Sequence, residues 1–293
     1  MGSRLHGPIR VRSLAVALVV ATALATMPAA GQRGGAPLGP DGPTPRLPNG
    51  KPDLSGLWQN PYTPNMARPG TVLDPATREA LAFPRMGEAL PNAVAPASGR
   101  TARAYDLPFT EWGLRQWEEY DPVNDGDYAG NCLPFGMSRN INSPHGLQII
   151  QNNDALAFLF EQNTWFHWVP TNGMTWPEDL WATWNGVSTG RWDGDTLVIE
   201  TTGFNGYSKL DTSGHPLSTE LTLTNTFTRT SLNTMEHTVT VHDPKAYTRD
   251  WMNVRTWRLR SHPDVIMEYS CEENNLRNLL EGTIKVWEPP DVE

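Results

Sequence analysis

Residues Gly190 to Gly206 read GRWDGDTLVIETTGFNG, and what the centre of this stretch does decides the fold. Asp193 and Asp195 flank Gly194, a spacing that could serve a metal or a substrate. A calcium loop needs more oxygen ligands at regular intervals, and the stretch does not supply them. Asp-Gly between two alternating apolar runs is instead the strongest short-range signal for a β-hairpin, with Asp chosen for turn geometry and Gly for positive φ. The stretch therefore predicts two antiparallel strands joined by a tight turn.

The same texture runs outward from it. From Leu147 onward, LQIIQ, ALAFLFE, TWFHWV, ELTLTNTFTR, MEHTVTVH, VRTWRLR, VIMEYSC and TIKVW are short runs rich in β-branched and aromatic residues, separated by turn letters such as Asn152-Asn153-Asp154 and Asn233-Thr234. Connections this short require antiparallel neighbours. Leu221, Leu223 and Phe227 share one face of their run, and Thr222, Thr224, Thr226 and Thr228 share the other. One face is core and one is wet. Roughly eight to eleven such strands predict a mainly β fold, an antiparallel up-and-down barrel that leaves no open edges; a two-sheet β-sandwich is the alternative. One helix, Glu273 to Leu280, is expected to stop at Gly282.

Upstream the texture changes. Arg4, Arg10 and Arg12 precede an apolar run from Leu14 to Ala25 and the small residues Ala29, Ala30 and Gly31, the pattern of a secretory signal peptide over 1–31, cleaved near Ala30 or Gly31. That run is too short to span a bilayer, so a secreted or periplasmic protein without membrane insertion is expected. Residues 32–49, rich in Gly, Pro and Arg, read as a flexible linker. Residues 50–293 read as a single β-barrel domain: a long N-terminal arm with short helices over 50–130, then a β body over 131–293. The arm offers two helix candidates, one starting at Asp74-Pro75 and one over Phe109 to Tyr120.

Two cysteines in an exported chain, Cys132 and Cys271, are expected to form one disulfide. The 293-residue chain carries a net charge of −9, and loss of the three leader arginines makes it more acidic, which weighs against nucleic acid as a partner. G-x-S-x-G, Walker and Rossmann patterns are all missing, so serine-triad and nucleotide-dependent chemistry lose ground and no cofactor is implied.

Two resemblances attach to particular residues. Gly56-Leu57-Trp58, a G-x-W on an early strand, is similar to the opening motif of lipocalin-like barrels. The GRWDGDTLVIETTGFN run, with CLPFG, the Asp211-x-x-Gly-His-Pro segment, DPKAY and EYSCEENN, resembles a broad family of secreted bacterial proteins of unassigned function over Gly130 to Asn275. That resemblance implies export and a β body and no agreed chemistry. Members of the family often carry a His-Pro pair shortly before the GRW strand; here the corresponding place reads Trp176-Pro177.

Of the six histidines that survive processing, His145 in NSPHG and His215 in DTSGHP sit in loop contexts, where function concentrates. Asp211, His215 and Glu220 lie close enough in sequence to supply an acid and a base from one loop. No zinc spacing is present, so no metal is expected. Tryptophan is abundant, with twelve in the chain, and Trp165, Trp176 and Trp184 belong to its densest run. Indoles give flat apolar area with a polar tip, suited to a small apolar or glycan-like ligand. The leading expectation is a secreted binding protein with an aromatic-lined pocket. A cofactor-free hydrolase, lyase or isomerase using loop His and carboxylate groups, or a module of an extracellular assembly, are the alternatives.

Overall fold

A computed structural model describes residues 39–67, 70–81, 107–177, 179–261 and 264–289. The expected signal peptide, its cleavage site and linker residues 32–38 lie outside them. The strands are β1 (Gly56–Gln59), β2 (Leu147–Gln151), β3 (Ala155–Phe160), β4 (Phe166–Pro170), β5 (Val187–Asp193), β6 (Thr196–Thr202), β7 (Thr222–Arg229), β8 (Thr234–His242) and β9 (Trp251–Leu259). Among the described residues three α-helices join them, α1 (Glu111–Glu118), α2 (Met137–Ile141) and α3 (Cys271–Leu280), with a 3-10 turn over Gln162–Thr164.

The strands form one sheet in the order β4-β3-β2-β1-β9-β8-β7-β6-β5, every neighbour antiparallel, and it curls into a nearly closed barrel. β4 and β5 meet at the seam. Each is separated from β1 by an odd number of antiparallel steps, so the two run the same way, and no ladder of hydrogen bonds joins them. Side chains close the gap instead. His167 Nε2 lies 2.6 Å from Ser188 Oγ, which lies 2.6 Å from Thr201 Oγ1, and Trp176 Nε1 donates to the Ser188 carbonyl at 2.7 Å.

The Asp193-Gly194-Asp195 turn is the hairpin its letters predict. Asp193 pairs with Thr196, and Gly194 takes φ 57° at the first central position. Asp195 contributes an exposed ion pair to Arg46. The predicted alternation also holds: Leu223, Asn225 and Phe227 of β7 face in while its threonines face out. The lumen is filled, because Phe158 on β3 meets Phe227 on the far wall at 5.5 Å between centroids, with Trp58 and Trp257 buried alongside.

The two ends of the barrel differ. At one, short turns join the strands, and residues 39–49 lie against them: the Leu232 amide donates to Gly42 O at 2.7 Å, Asn233 N to Asp41 Oδ1 at 3.0 Å, and Thr44 Oγ1 to Arg229 O at 2.8 Å. The linker expected over 32–49 is thus docked from residue 39, its backbone groups used by the turns. At the other end stand α1, α2 and the loops over 60–67, 70–81, 107–146, 203–221 and 243–250. Thr110 caps α1 by accepting from Gly113 N at 3.0 Å. A Cβ on Gly113 would sit 2.1 Å from Ala246 O, so only glycine lets α1 lie this close to the loop beneath it.

Three expected elements are corrected. Asp74-Pro75 starts no helix: Asp74 Oδ1 caps a turn by accepting from Ala76 and Thr77, and Leu73 gives its backbone to Met252 of β9. Val265 to Cys271 and Thr283 to Trp287 are not strands. No free edge remains for them beside β9, whose neighbours are β8 and β1, and Ser270 caps α3 through Glu273 N.

Burial lowers His167 from 6.5 to about 4, so the ring stays neutral in the folded protein while the unfolded chain takes up a proton below pH 6.5. Its contribution is intact above that pH and is lost as pH falls toward 4. The melting temperature is therefore expected to fall between pH 7 and 4.5, on the order of 3 kcal/mol for this residue, and His167→Gln should flatten that slope. Gly194→Val, with nothing within 4 Å of the added Cβ, should cost about 1–2 kcal/mol through backbone strain alone, while Asp195→Asn should leave the melting temperature unchanged; thermal denaturation reads both.

Candidate functional site

The β6–β7 loop folds back on itself. Leu210 N donates to His215 O at 2.9 Å, and Gly214, at φ 84°, is covered so closely by Tyr120 that a Cβ there would lie 2.0 Å from its ring. This turn brings His215 Nδ1 to 2.6 Å from Asp211 Oδ2, which also accepts from Met66 N at 2.6 Å. Both residues are buried, and the imidazole lies among Phe109 and Trp117 at 6.3 and 6.4 Å. With the carboxylate at Nδ1, the remaining ring nitrogen is Nε2. That Nε2 is buried and makes no hydrogen bond.

An Asp–His pair is the orienting half of many catalytic constellations, yet a general base must reach its proton. Here His215 is 1% exposed, so the pair pins the loop to the segment carrying Met66. It belongs to a polar plug at this end of the barrel. The Arg255 guanidinium bonds Asn142 Oδ1 and, at 3.3 Å, Asn253 Oδ1; Asn142 Nδ2 donates to Leu210 O at 2.9 Å, and Asn253 Nδ2 to Thr71 O at 2.7 Å. Burial pushes Arg255 down to about 10, against the opposing pull of Asp211.

The other sequence candidates do not join the pair. His145 packs on Tyr269 at 5.1 Å and is pushed down by burial, with the Glu161 charge opposing. The Glu220 side chain is exposed. The tryptophans separate as well: Trp165 packs on the barrel core, Trp176 meets Trp168 edge-on at 5.9 Å on the seam, and Trp184 alone reaches a cluster at the loop end. A pocket shared by His145, His215, Trp165, Trp176 and Trp184 is therefore not what the fold builds. Strand alternation and the chain between β4 and β5 send them to different places.

What it builds is a cleft of about 220 Å³ between the end of α1, residues 121–128, residues 207–209 and the C-terminal segment. Tyr120, Tyr128, Tyr207 and Trp287 wall it, and Trp184 stands behind, 5.5 Å from Tyr128, 5.6 Å from Tyr207 and 5.8 Å from Trp287. Asp127 braces the floor. It accepts from Tyr120 Oη at 3.1 Å and from both Arg139 terminal nitrogens at 3.2 and 3.0 Å, while Arg139 lies 5.0 Å from the rings of Tyr128 and Phe135. Burial pushes the Asp127 carboxyl up, but the charge and hydrogen bonds of Arg139 outweigh it and hold the group below its ordinary value. Burial raises the Tyr120 phenol, with the Asp127 charge adding to the effect.

The C-terminal wall hangs on the disulfide. Cys132 and Cys271 are bonded, with Cα atoms 5.5 Å apart, so α3 is fixed beside residues 129–132. The chain then turns at Gly282 and returns as a strap over Gly126, where a Cβ would lie 2.9 Å from Lys285 O. Asn131 clamps the strap: its Nδ2 donates to Lys285 O at 2.8 Å and its Oδ1 accepts from Trp287 N at 3.1 Å. Residues 120, 128, 207 and 287 escaped the sequence reading because they come from separate segments; the only local hint is the mixture of acids and tyrosines in EEYDPVNDGDY.

Replacing both cysteines by serine is expected to leave the far-ultraviolet circular dichroism of the barrel intact and to weaken the near-ultraviolet signal of the Trp184, Tyr207 and Trp287 cluster. The bridge joins residues 139 apart in sequence, for which the chain-entropy account gives a loss of about 5 kcal/mol. Denaturant titration measures it.

The chain was compared with protein-family models, curated proteins and solved structures, and it matches none of them.

Proposed function

We propose that this is an exported binding protein whose ligand, a small glycan-like or otherwise flat amphipathic molecule, sits in the aromatic cleft at the loop end of the barrel. The observation that carries the reading is the convergence of Tyr120, Tyr128, Tyr207 and Trp287 from distant segments around one cleft, while the barrel lumen is filled with side chains. Aromatic faces with polar edges suit such a ligand, and rigid rings lose little entropy on binding. The sealing of the Asp211–His215 pair weighs against the hydrolase, lyase or isomerase alternative. Export is supported by the Arg-then-apolar N-terminus and by the Cys132–Cys271 bridge, which persists in oxidising compartments. Among the described residues no helix is long and apolar enough to cross a membrane.

A second reading, a module of a larger extracellular assembly, has its own support. The outer face of β2 to β4 carries the exposed side chains Ile150, Phe166 and Trp168 in adjoining strands, where the outer face of β7 carries threonines. Contiguous exposed apolar area of this kind is a common mark of a protein contact.

Titration of the intact protein with a panel of mono- and oligosaccharides and small aromatic compounds, followed by tryptophan fluorescence, separates the two. Binding should be weakened tenfold or more by Trp287→Ala and left unchanged by Phe166→Ser or His145→Gln. A response lost in Phe166→Ser and retained in Trp287→Ala would assign recognition to the outer face instead.

A further inference from the structure

We infer that the cleft selects a small organic cation, an ammonium group carried on a compact apolar or ring-shaped body. This inference rests on the binding reading above and adds the charge of the ligand to it. The walls are aromatic, and the remaining lining is mainly anionic: Glu119, Asp121, Asp125 and Glu288, with Lys209 the opposing charge. The charges of Asp127 and Arg139 beneath the floor are spent on each other.

The carboxylates are not equivalent. Asp121 is used by its own loop, its oxygens accepting from Val123 N at 3.1 Å and from Asn124 Nδ2 at 2.6 Å. Glu119, Asp125 and Glu288 are exposed and form no ion pair with any described residue. An anion entering the cleft would meet this field unfavourably, and a neutral molecule would gain nothing from it. A cation gains twice, from the carboxylates at the rim and from the negative faces of the rings. The protein itself shows that the walls accept an ammonium: Lys209 Nζ lies 5.5 Å above the centre of the Tyr120 ring. The volume, about 220 Å³, is below the roughly 300 Å³ at which pockets for drug-sized ligands begin, so the cleft matches one headgroup or one ring.

The ammonium could belong to a quaternary amine or to an amino sugar, and paired probes separate charge from shape. Choline is compared with 3,3-dimethylbutan-1-ol, its neutral isostere, and glucosamine with glucose, by calorimetry on the full, disulfide-bonded chain at low and at high salt. At least one cation is expected to bind ten times more tightly than its neutral partner, with an advantage that shrinks as salt rises. The double variant Asp125→Asn, Glu288→Gln should remove that advantage while the melting temperature and the weak binding of the neutral partner stay as they are. Equal or tighter binding of the neutral probes, with Trp287→Ala abolishing it, overturns the cation preference and leaves the aromatic cleft standing as a binding site. Cation binding that survives both Trp287→Ala and the double carboxylate variant overturns the cleft as its seat. Absence of heat with all four probes also overturns the cation preference, and the saccharide and aromatic panel then decides separately whether the cleft binds anything.

Discussion

Nine strands cannot close a barrel through antiparallel pairs alone. Going once around, strand direction alternates at each step, and an odd count leaves one pair running the same way. In this protein that pair is β4 and β5, and parallel neighbours cannot be joined by a tight turn. The chain must cross from one end of the barrel to the other between Thr171 and Gly186, and much of the molecule's character follows from that crossing. It lays Trp176 along the seam, where the indole bonds the Ser188 carbonyl, and it delivers Trp184 to the loop end, where the indole meets Tyr128, Tyr207 and Trp287. A barrel with an even number of strands could have closed with a hairpin here and would have had no segment to bring that tryptophan to the cleft.

The seam also sets what the barrel interior tolerates. Without a ladder between β4 and β5, the neutral His167, Ser188 and Thr201 supply a short side-chain relay in its place, and a protonated imidazole there would be a buried cation without a carboxylate among its hydrogen-bond partners. The loop end handles burial differently. Arg255 keeps its charge because Asn142 and Asn253 accept its hydrogen bonds and Asp211 lies near enough to favour it. The same asparagines then hold backbone carbonyls of the 66–71 and 207–211 segments, so one buried guanidinium organises the loops that support the cleft.

Much of the fold was legible because its signals are local. The Asp-Gly turn, the leucine and threonine alternation of residues 221–229 and the glycine stop at 282 each depend on a few neighbours in sequence, and each holds. The cysteine pairing followed from their even number and the expected compartment. Where the reading strayed, long-range pairing decides. Val265 to Cys271 has the composition of a strand and finds no edge to join, and Asp74 caps a turn whose neighbour Leu73 is bridged to β9. The site was least legible. Density along the sequence singled out Trp165, Trp176 and Trp184, but adjacency in sequence means little where successive strand residues face opposite ways, and Trp287 approaches from the far side of a disulfide. Asp211 and His215 stand out because they lie four positions apart, and the fold joins their side chains and buries both.

The pairing of β1 has a consequence for how the chain folds. This four-residue strand hydrogen-bonds β2 on one side and β9 on the other, with Trp58 opposite Leu259. The cylinder cannot be completed until almost the whole polypeptide is available, and the pairing that completes it spans the largest sequence separation in the sheet. Closing so long a loop costs entropy before any ladder bond repays it, so the slow step is expected to be this late stitching and not the local hairpins. Until then the flank of β9 waits as an unpaired edge, the period in which a chaperone or a second chain has its best opportunity to bind.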